Sequence, residues 1–442
     1  MRNFIIKLLD LEPESVENID IRKVGKENHL VISLKRTPQT CPACFKMTSK
    51  VKEYKYRRYS HQIIDSQETY VFYRQRRMVC PYCGKTFNER STFGKAYSSI
   101  TNTTLIAILE NLRHYTATYT KIADKYAISV RTVIRIFDNH VQIRRHHLTD
   151  IICIDEFYFN RHSRYKYAFM IMSFRNKLIL DIVESRRQET LSDYFHSIPL
   201  MERKSVKYVS MDMYRPYKDI CAMYLPNASI CIDSFHVMKK MSDSLNSLRK
   251  RIMRRHAEDK NSVEYRLLKY RYRILLKSRD DIDDHHHFTD RILGYTTTES
   301  GVLECILAID DSLKAAYHLK EDYRLFNAIG EQEYDRRTHD KVLCSLTDAM
   351  ITSNIKEMKN AGLTIRNWHD EIMNSFMWID GRRISNGCIE GRNNYAKKIL
   401  SNANGMSNFQ RARNRIMYSQ NKYERYSFSV FEKRIDKPNG DK

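Results

Sequence analysis

The spacing of apolar residues changes several times along the chain and predicts segments of different structure. Residues 67–79, QETYVFYRQRRMV, alternate between apolar and polar side chains, as in a half-buried strand. Residues 101–147 show apolar side chains at helical spacing, and residues from 151 form short apolar runs typical of strands. From about residue 237 to 375 the helical spacing returns. The pattern therefore predicts an α+β chain of several domains.

The second helical pattern predicts a helix-turn-helix. Apolar residues recur from Ile122 to Tyr126 and again from Val130 to Phe137, and Ser129 between them suits the N-cap of the second helix. An ordinary helical hairpin would give the same pattern. In a DNA-binding helix pair, three residues of the second helix would face a DNA groove: Arg131, Thr132 and Arg135.

The apolar runs after residue 150 predict a mixed sheet. IICIDEFYF, YAFMIMSF and LILDIVES read as three strands, followed by the helix ETLSDYFHSI, the strand KYVSMDM, the helix RPYKDICAMYL and the strand SICIDSFHV. This order, β-β-β-α-β-α-β-α, differs from a doubly wound sheet. No glycine-rich phosphate loop follows any of these runs, so no nucleotide cofactor is expected.

Three of the predicted strands have an aspartate at or just past the apolar run: Asp155, Asp212 and Asp233. A carboxylate near the middle of a sheet is costly unless it is paired or binds a cation. If the first and fourth strands are neighbours, Asp155 and Asp212 lie side by side, and a divalent cation would relieve their repulsion. Each aspartate could instead be a strand-end residue that caps a helix.

A fourth carboxylate, Glu390, lies in the stretch SNGCIEGRNN, between two glycines that disfavour a helix interior. An N-cap at Asn386 and an acid in the first helical turn explain the glutamate but not the glycines. We expect the missing side chains to let the helix start approach metals, the sheet or DNA closely. Asn394 and Lys397 follow Glu390 at i+4 and i+7, on the same helix face. We expect three residues here to contact DNA: Arg392, Asn394 and Lys397.

Two CxxC pairs predict one structural zinc site. Cys41-Pro-Ala-Cys44 and Cys80-Pro-Tyr-Cys83 together offer four thiolates for a closed tetrahedral site, with no open position for catalysis. A redox CxxC or unrelated free thiols are the alternatives. The other six cysteines are scattered, which is typical of a reducing compartment. Three arginines on the strand before the second pair are expected to contact phosphates: Arg74, Arg76 and Arg77.

The net charge indicates a polyanionic partner. The chain has a formal charge of +23, and residues 1–150 contribute 26 basic and 14 acidic residues, about half of the excess. Nucleic acid is the usual partner of such a chain, although a basic protein without one is an alternative. No apolar run reaches 18 residues and the first residues lack a small-residue cleavage site, so neither a membrane partner nor a signal peptide is expected.

Taken together, the motifs CPAC, CPYCGK, IDEFYF, VSMDMYRPY, IDSFHV and SNGCIEGRNNYAKKI resemble transposases of bacterial insertion sequences, in the group named ISL-three. The resemblance covers about residues 38 to 415. It implies a ribonuclease-H-like core in which Asp155, Asp212 and Glu390 hold two Mg²⁺ (or Mn²⁺) ions. Asp233 and His236 also match the motifs of this family, and the resemblance implies that they support the metal ligands. Tyr158 departs from the family motif, in which a small residue is expected at this position.

The resemblance also implies partners and a location. The expected partner is double-stranded DNA, both the transposon ends and the target, handled by a homodimer or a larger synaptic assembly in the bacterial cytoplasm, near the nucleoid. A DNA-binding regulator without catalysis, and a structure-selective nuclease or resolvase of the same fold, are the alternatives.

The expected domains follow from these motifs. They are a zinc ribbon (1–95), a helix-turn-helix (96–147), the first part of the catalytic core (148–240), an all-α insertion (241–378), the final core helix with Glu390 (379–418) and a polar tail (419–442).

Overall fold

The computed structural model describes residues 2–64, 66–90, 94, 98–160, 163–332 and 335–427. It divides into two compact units, one of residues 1–144 and 395–442 and the other of residues 145–394. Most of the predicted polar tail, and most residues around the predicted boundary at residue 95, lie outside the described residues.

The first unit is built on a twisted sheet with the strand order β1-β2-β6-β5, and β7 pairs with β6. The strands β5 and β6 form a long antiparallel hairpin, whereas β2 and β6 are parallel. The strand predicted for residues 67–79 is confirmed, but its burial alternates only in part. Val71 and Tyr73 are fully buried and Arg74 is exposed, whereas the polar Gln75 and Arg76 are also buried. The elements are α1 (Arg2–Leu8), a 3₁₀ turn (Pro13–Ser15), β1 (Val16–Val24), β2 (Glu27–Leu34), β3 (Gln39–Thr40), β4 (Met47–Thr48), β5 (Val51–Ile64), β6 (Gln67–Val79) and β7 (Thr86–Asn88).

Three helices follow the sheet: α2 (Asn102–Asn111), α3 (Tyr119–Lys125) and α4 (Val130–His140). The predicted N-cap is confirmed, since Ser129 Oγ accepts a hydrogen bond from the Thr132 N–H. The apolar spacing predicts a buried face of Val130, Val133, Ile134 and Phe137, and the observed face of α4 differs from it. Ile136 is buried with Val133 and Phe137, whereas Val130 at the first turn is 36% exposed.

The second unit contains the predicted mixed sheet, with the order β10-β9-β8-β11-β12. The strands β8, β9 and β10 are antiparallel neighbours, whereas β8, β11 and β12 are parallel neighbours. The first and fourth strands are therefore adjacent, as expected. The elements are β8 (Ile151–Tyr158), β9 (Tyr167–Ser173), β10 (Ile179–Val183), α5 (Gln188–His196), α6 (Leu200–Lys204), β11 (Tyr208–Met211), α7 (Arg215–Tyr224) and β12 (Ser229–Ile232).

The rest of the second unit is mainly helical and shares the core of the sheet. Sheet residues such as Ile152 and Val209 belong to the same buried cluster as Leu245 and Met358 of the helices. A short hairpin at residues 288–297 lies within the predicted all-α insertion, so this insertion is not entirely helical, and a second hairpin at residues 378–383 follows it. The elements are α8 (Ser234–Arg255), α9 (Val263–Tyr270), α10 (Tyr272–Leu276), a 3₁₀ turn (Arg279–Asp281), β13 (Phe288–Thr289), β14 (Thr296–Thr297), α11 (Glu299–Leu307), α12 (Asp311–Gln332), α13 (Arg336–Thr352), α14 (Lys356–Asn367), α15 (His369–Asn374), β15 (Trp378–Ile379), β16 (Arg382–Arg383) and α16 (Gly387–Asn402). The residues of α16 from Tyr395 onward belong to the first unit.

The last described helix, α17 (Phe409–Gln420), belongs to the first unit, although the sequence placed it with the catalytic core. Its Arg415 is almost fully buried and donates hydrogen bonds to the carbonyls of His114 and Ala117. Arg411 pairs with Asp138 of α4 at 2.6 Å. Among the described residues, no helix combines the length and the apolar character needed to cross a membrane.

Candidate active site

Parallel strand pairing places the first two predicted acids side by side. Cys153 of β8 and Ser210 of β11 are Cα partners, so the register continued by two residues brings Asp155 opposite Asp212. Side chains at the same level of adjacent strands point to the same face of a sheet. Asp233 follows β12 at the corresponding level, since Met211 pairs with Ile232. The three aspartates therefore form a row across β8, β11 and β12, level with the carboxyl ends of β11 and β12.

The negative charge of Asp212 disfavours the ionised form of Asp155. Burial and then the negative charge of Asp212 raise the pKa of Asp155 to about 7. Two hydrogen bonds oppose this shift, from the Glu156 N–H at 2.8 Å and from Asn393 Nδ2 at 2.7 Å. A divalent cation would remove the repulsion, and carboxylate oxygens are the ligands that Mg²⁺ prefers. The donor set therefore fits the cation that the sequence predicted.

His236 lies between the second and third predicted acids. Its Nε2 is 2.8 Å from Asp212 Oδ1 and 3.5 Å from Glu390 Oε1. Burial lowers the pKa of His236, but the contact with Asp212 and the charges of Asp233 and Glu390 outweigh it, and the pKa is raised overall. The ligand atoms of Glu390, Asp233 and His236 lie within 4.8 Å of one another. Asp212 acts on Asp155 through its negative charge. His236 thus contacts the acids directly, and was predicted only as a support for them.

Two buried side chains fix the start of α16, which presents Glu390. Asp233 caps α8 by accepting the Phe235 N–H at 3.1 Å, and its other oxygen accepts the Asn386 N–H at 3.1 Å. Asn386 Nδ2 donates to the carbonyl of Ile154 at 3.2 Å. The Asn386 side chain thus binds the neighbouring strand instead of capping its own helix. These bonds tie the beginning of α16 to both β8 and β12.

The two glycines beside Glu390 are not explained by close packing within the protein. Among the described residues, a Cβ atom at Gly391 would meet nothing within 4 Å, and one at Gly387 would meet only Ser385 Oγ, at 3.9 Å. The expectation that they let the helix approach the sheet is therefore wrong. The space beside Gly391 is open.

Sequence reasoning missed Asn393, which is 3% exposed and bonds Asp155 directly. It selected Asn394, at i+4 from Glu390, but that side chain is exposed. Asn393 lies at i+3, which also faces the same side of a helix, so this spacing was the available signal. Arg392 donates to the carbonyl of Lys177 at 3.0 Å.

The four predicted zinc ligands converge in the first unit. Their sulfur atoms lie within 4.8 Å of one another, with 3.6 Å between Cys41 and Cys83 and 3.5 Å between Cys44 and Cys80. The Cys44 backbone N–H lowers the pKa of the Cys41 thiol to about 6, although burial opposes it. A tetrahedral Zn²⁺ needs this kind of closed set of thiolates.

The two CxxC turns have the same backbone structure. In each turn the residue after the second cysteine donates its N–H to the carbonyl of the first: Phe45 to Cys41 and Gly84 to Cys80. Both of these residues have a positive φ, of 59° and 70°. Glycine adopts this conformation without strain, as expected for Gly84, whereas Phe45 adopts it at a cost.

The predicted phosphate-contacting arginines have different surroundings. Arg76 is buried and pairs with Glu89 at 3.0 Å, so its guanidinium holds the fold and the prediction that it contacts DNA is wrong. Arg77 is partly exposed and pairs with Glu53. Arg74 is exposed and lies over the ring of Tyr54.

The predicted groove-facing residues of α4 are placed as follows. Arg131 and Arg135 are exposed, while Thr132 is half-buried and bonded to Ser129. The two arginines are therefore available to a partner on this helix.

Comparison with known proteins adds two similarities. The sequence model of a family described as transposase, of the ISL3 type of DDE transposases, matches residues 152–416. The transposase for insertion sequence element IS1001 of Bordetella parapertussis is 24% identical over 261 residues, which are 58% of this chain and 63% of that protein. The chain thus spans less than two thirds of this curated relative. The family match includes Asp155, Asp212 and Glu390, whereas the four cysteines and α4 lie outside it.

Proposed function

Because the chain belongs to the ISL3 family of DDE transposases, we propose that it binds the terminal inverted repeats of an insertion sequence, cuts DNA there and joins the cut ends to target DNA. One observation above all supports this proposal. The sheet and α16 bring three acids of the family-matched region to one end of the second unit, where Asp155 and Asp212 interact and His236 contacts both Asp212 and Glu390.

We assign the catalytic metal ligands to Asp155, Asp212 and Glu390. Two Mg²⁺ (or Mn²⁺) ions held there would activate the attacking hydroxyl and offset the charge on the leaving oxygen. The chain's own groups orient the ligands: Asn393 holds one oxygen of Asp155, and Asp233 fixes the start of the helix that presents Glu390. The raised pKa of Asp155 means that cation binding must compete with a proton near neutral pH.

The first unit supplies the proposed DNA interface. In this proposal α3 and α4 act as a helix-turn-helix, with Arg131 and Arg135 toward a groove and the cysteine cluster as one structural zinc in a ribbon. On β6 the proposed phosphate contact is Arg74, which is exposed. On α16, Arg392, Asn394 and Lys397 are further proposed contacts. The excess of positive charge in residues 1–150 favours this assignment.

Strand transfer of two transposon ends requires both ends in one complex. We therefore propose a homodimer or a larger synaptic assembly on double-stranded DNA, in the bacterial cytoplasm. Hydrolysis and attack by a 3′-hydroxyl need neither a nucleotide cofactor nor a covalent link to the protein.

The test is cleavage and joining of labelled DNA that carries the element ends, in the presence of Mg²⁺. We expect Asp155→Asn and Glu390→Gln to abolish both reactions while binding to the same DNA is retained. Glu184→Gln is the matched control, since Glu184 is an exposed acid just after β10 of the same sheet. Binding without cleavage by the unmodified protein would overturn the proposal, and cleavage of branched DNA without joining would indicate a nuclease instead.

A further inference from the structure

A second group of metal-ligand side chains lies outside the candidate active site, in the helical part of the second unit. Asp340 and Cys344 are one turn apart on α13, so they share a helix face. His369, at the first position of α15, faces both of them: its Nε2 is 3.2 Å from Asp340 Oδ1 and 3.7 Å from Cys344 Sγ. One carboxylate, one thiol and one imidazole therefore meet at a single point.

The separations of these atoms match those around a tetrahedral zinc ion. Ordinary zinc bond lengths at tetrahedral angles put a nitrogen and an oxygen ligand about 3.3 Å apart, and a nitrogen and a sulfur ligand about 3.6 Å apart. The measured values are 3.2 and 3.7 Å, and all three ligand atoms lie within 4.8 Å of one another. The two separations that involve His369 therefore already suit such an ion.

The second ring nitrogen of His369 lies next to a carboxylate, as is common for histidines that bind a metal. Its Nδ1 lies 3.4 Å from Asp370 Oδ1. A histidine that binds a metal almost always donates its second N–H to a carboxylate or carbonyl, which orients the ring. A thiolate and a carboxylate together also balance the charge of a divalent cation.

We propose that Asp340, Cys344 and His369 bind one divalent transition metal ion, Zn²⁺, with water as the fourth ligand. The Asp340 side chain is 51% exposed and Cys344 is exposed, so water can reach this group. The ion would join α13 to α15. The latter helix is already fixed to the edge of the sheet, because Asn374 Nδ2 donates to the carbonyl of Ile230 in β12 at 3.1 Å. The site would thus link α13, through α15, to the edge of the sheet that β12 forms.

The competing explanation is an ion pair, in which a protonated His369 lies between Asp340 and Asp370. An ion pair needs no thiol, whereas the zinc site does. Substitution of Cys344 therefore separates the two, since it removes a metal ligand and leaves both carboxylates next to the imidazole.

The experiment measures zinc bound per chain in the full-length protein after equilibration with Zn²⁺ and desalting. We expect Cys344→Ser and His369→Gln each to bind one equivalent less than the unmodified protein. The matched control is Cys305→Ser, since Cys305 is a partly exposed cysteine on α11 outside the cluster. With Co²⁺ as the probe, the same two variants should lose the absorption of one cysteine-containing site.

Asp370→Asn gives a second measurement that does not remove a ligand. We expect it to weaken zinc binding at this site by about ten-fold, as is usual when the partner of a metal-bound histidine is changed. The proposal would be overturned if Cys344→Ser, His369→Gln and Asp370→Asn all bound as much zinc, and as tightly, as the unmodified protein. Melting temperatures in the presence of a chelator report whether each variant folds, and a folded variant with unchanged zinc content counts against the site.

Discussion

Asn393 Nδ2 donates a hydrogen bond of 2.7 Å to Asp155 Oδ2, so the helix that presents Glu390 also holds the first acid. We expect Asn393→Ala to lower the rate of DNA cleavage about 10- to 100-fold, the usual effect of removing a group that orients a metal ligand. DNA affinity should change little, because Asn393 is buried. Asn402→Ala, an exposed asparagine on the same helix, is the control. An unchanged rate over a range of Mg²⁺ concentrations would refute this positioning role.

Asp233 is expected to contribute strongly to the stability of the second unit. Asp233→Ala removes the cap of α8 and leaves the Asn386 N–H without its acceptor inside the protein. A lost cap costs about 1 kcal/mol and a buried unsatisfied donor about 1–3 kcal/mol, so the free energy of unfolding should fall by roughly 2–4 kcal/mol. Urea unfolding measures this loss.

The control for Asp233 is Asp335, which caps α13 from an exposed position. Asp335→Ala should lower the free energy of unfolding less than Asp233→Ala does, because water replaces the lost bond. If both variants lose the same free energy of unfolding, the hydrogen bond between Asp233 and Asn386 contributes no stability beyond that of the helix cap.

The sequence predicted the sheet of the second unit well because its strands are short apolar runs separated by polar segments. It also predicted the neighbouring positions of Asp155 and Asp212, which follow from strand order alone. It failed where the outcome depends on packing between distant segments. The sequence does not distinguish Arg76 from Arg74, yet Glu89 draws only Arg76 into the interior. The bond from Asn386 to Ile154 likewise joins residues 232 positions apart.

The four clustered cysteines predict that metal removal will loosen one end of the first unit. We expect Cys44→Ser to remove one equivalent of zinc, whereas a strong chelator would also remove the ion proposed at the second site. Either treatment should increase amide exchange in residues 39–48 and 79–88. These segments rely on the metal because their own pairing is limited to the short strands β3, β4 and β7. Cys305→Ser should change neither quantity. Unaltered exchange after complete zinc loss would contradict a structural role.

The exposed arginines of α4 predict a measurable change in the salt dependence of DNA binding. If Arg131 and Arg135 each contact a phosphate, substitution of either by alanine should reduce the slope of log K against log salt by about 0.9. Lys7→Ala removes one charge from the exposed surface of α1 and should leave the slope unchanged. Equal slopes for all variants would place the DNA elsewhere.

Burial of His61 predicts that the first unit loses stability in mild acid. The side chain is 2% exposed and its Nδ1 lies 2.8 Å from Thr101 Oγ1, at the N-cap of α2. Burial lowers the pKa of His61 to about 4, below its value of about 6.5 in an unfolded chain. Between these values the unfolded chain binds a proton that the folded chain does not. The stability that the folded protein has with a neutral His61 is therefore fully present above pH 6.5 and is lost as the pH falls toward 4.

The expected loss from His61 is on the order of 3 kcal/mol over that range, at about 1.4 kcal/mol for each unit of pKa difference. Urea-unfolding midpoints at pH 7, 6 and 5 measure it as the difference between the unmodified protein and His61→Gln, which cannot titrate but keeps a polar group toward Thr101. His114→Gln, at an exposed histidine of the same unit, should follow the unmodified protein at every pH. If His61→Gln shows the same decline below pH 6.5 as the unmodified protein, the acid sensitivity arises from other groups, and His61 is protonated in the folded protein without penalty.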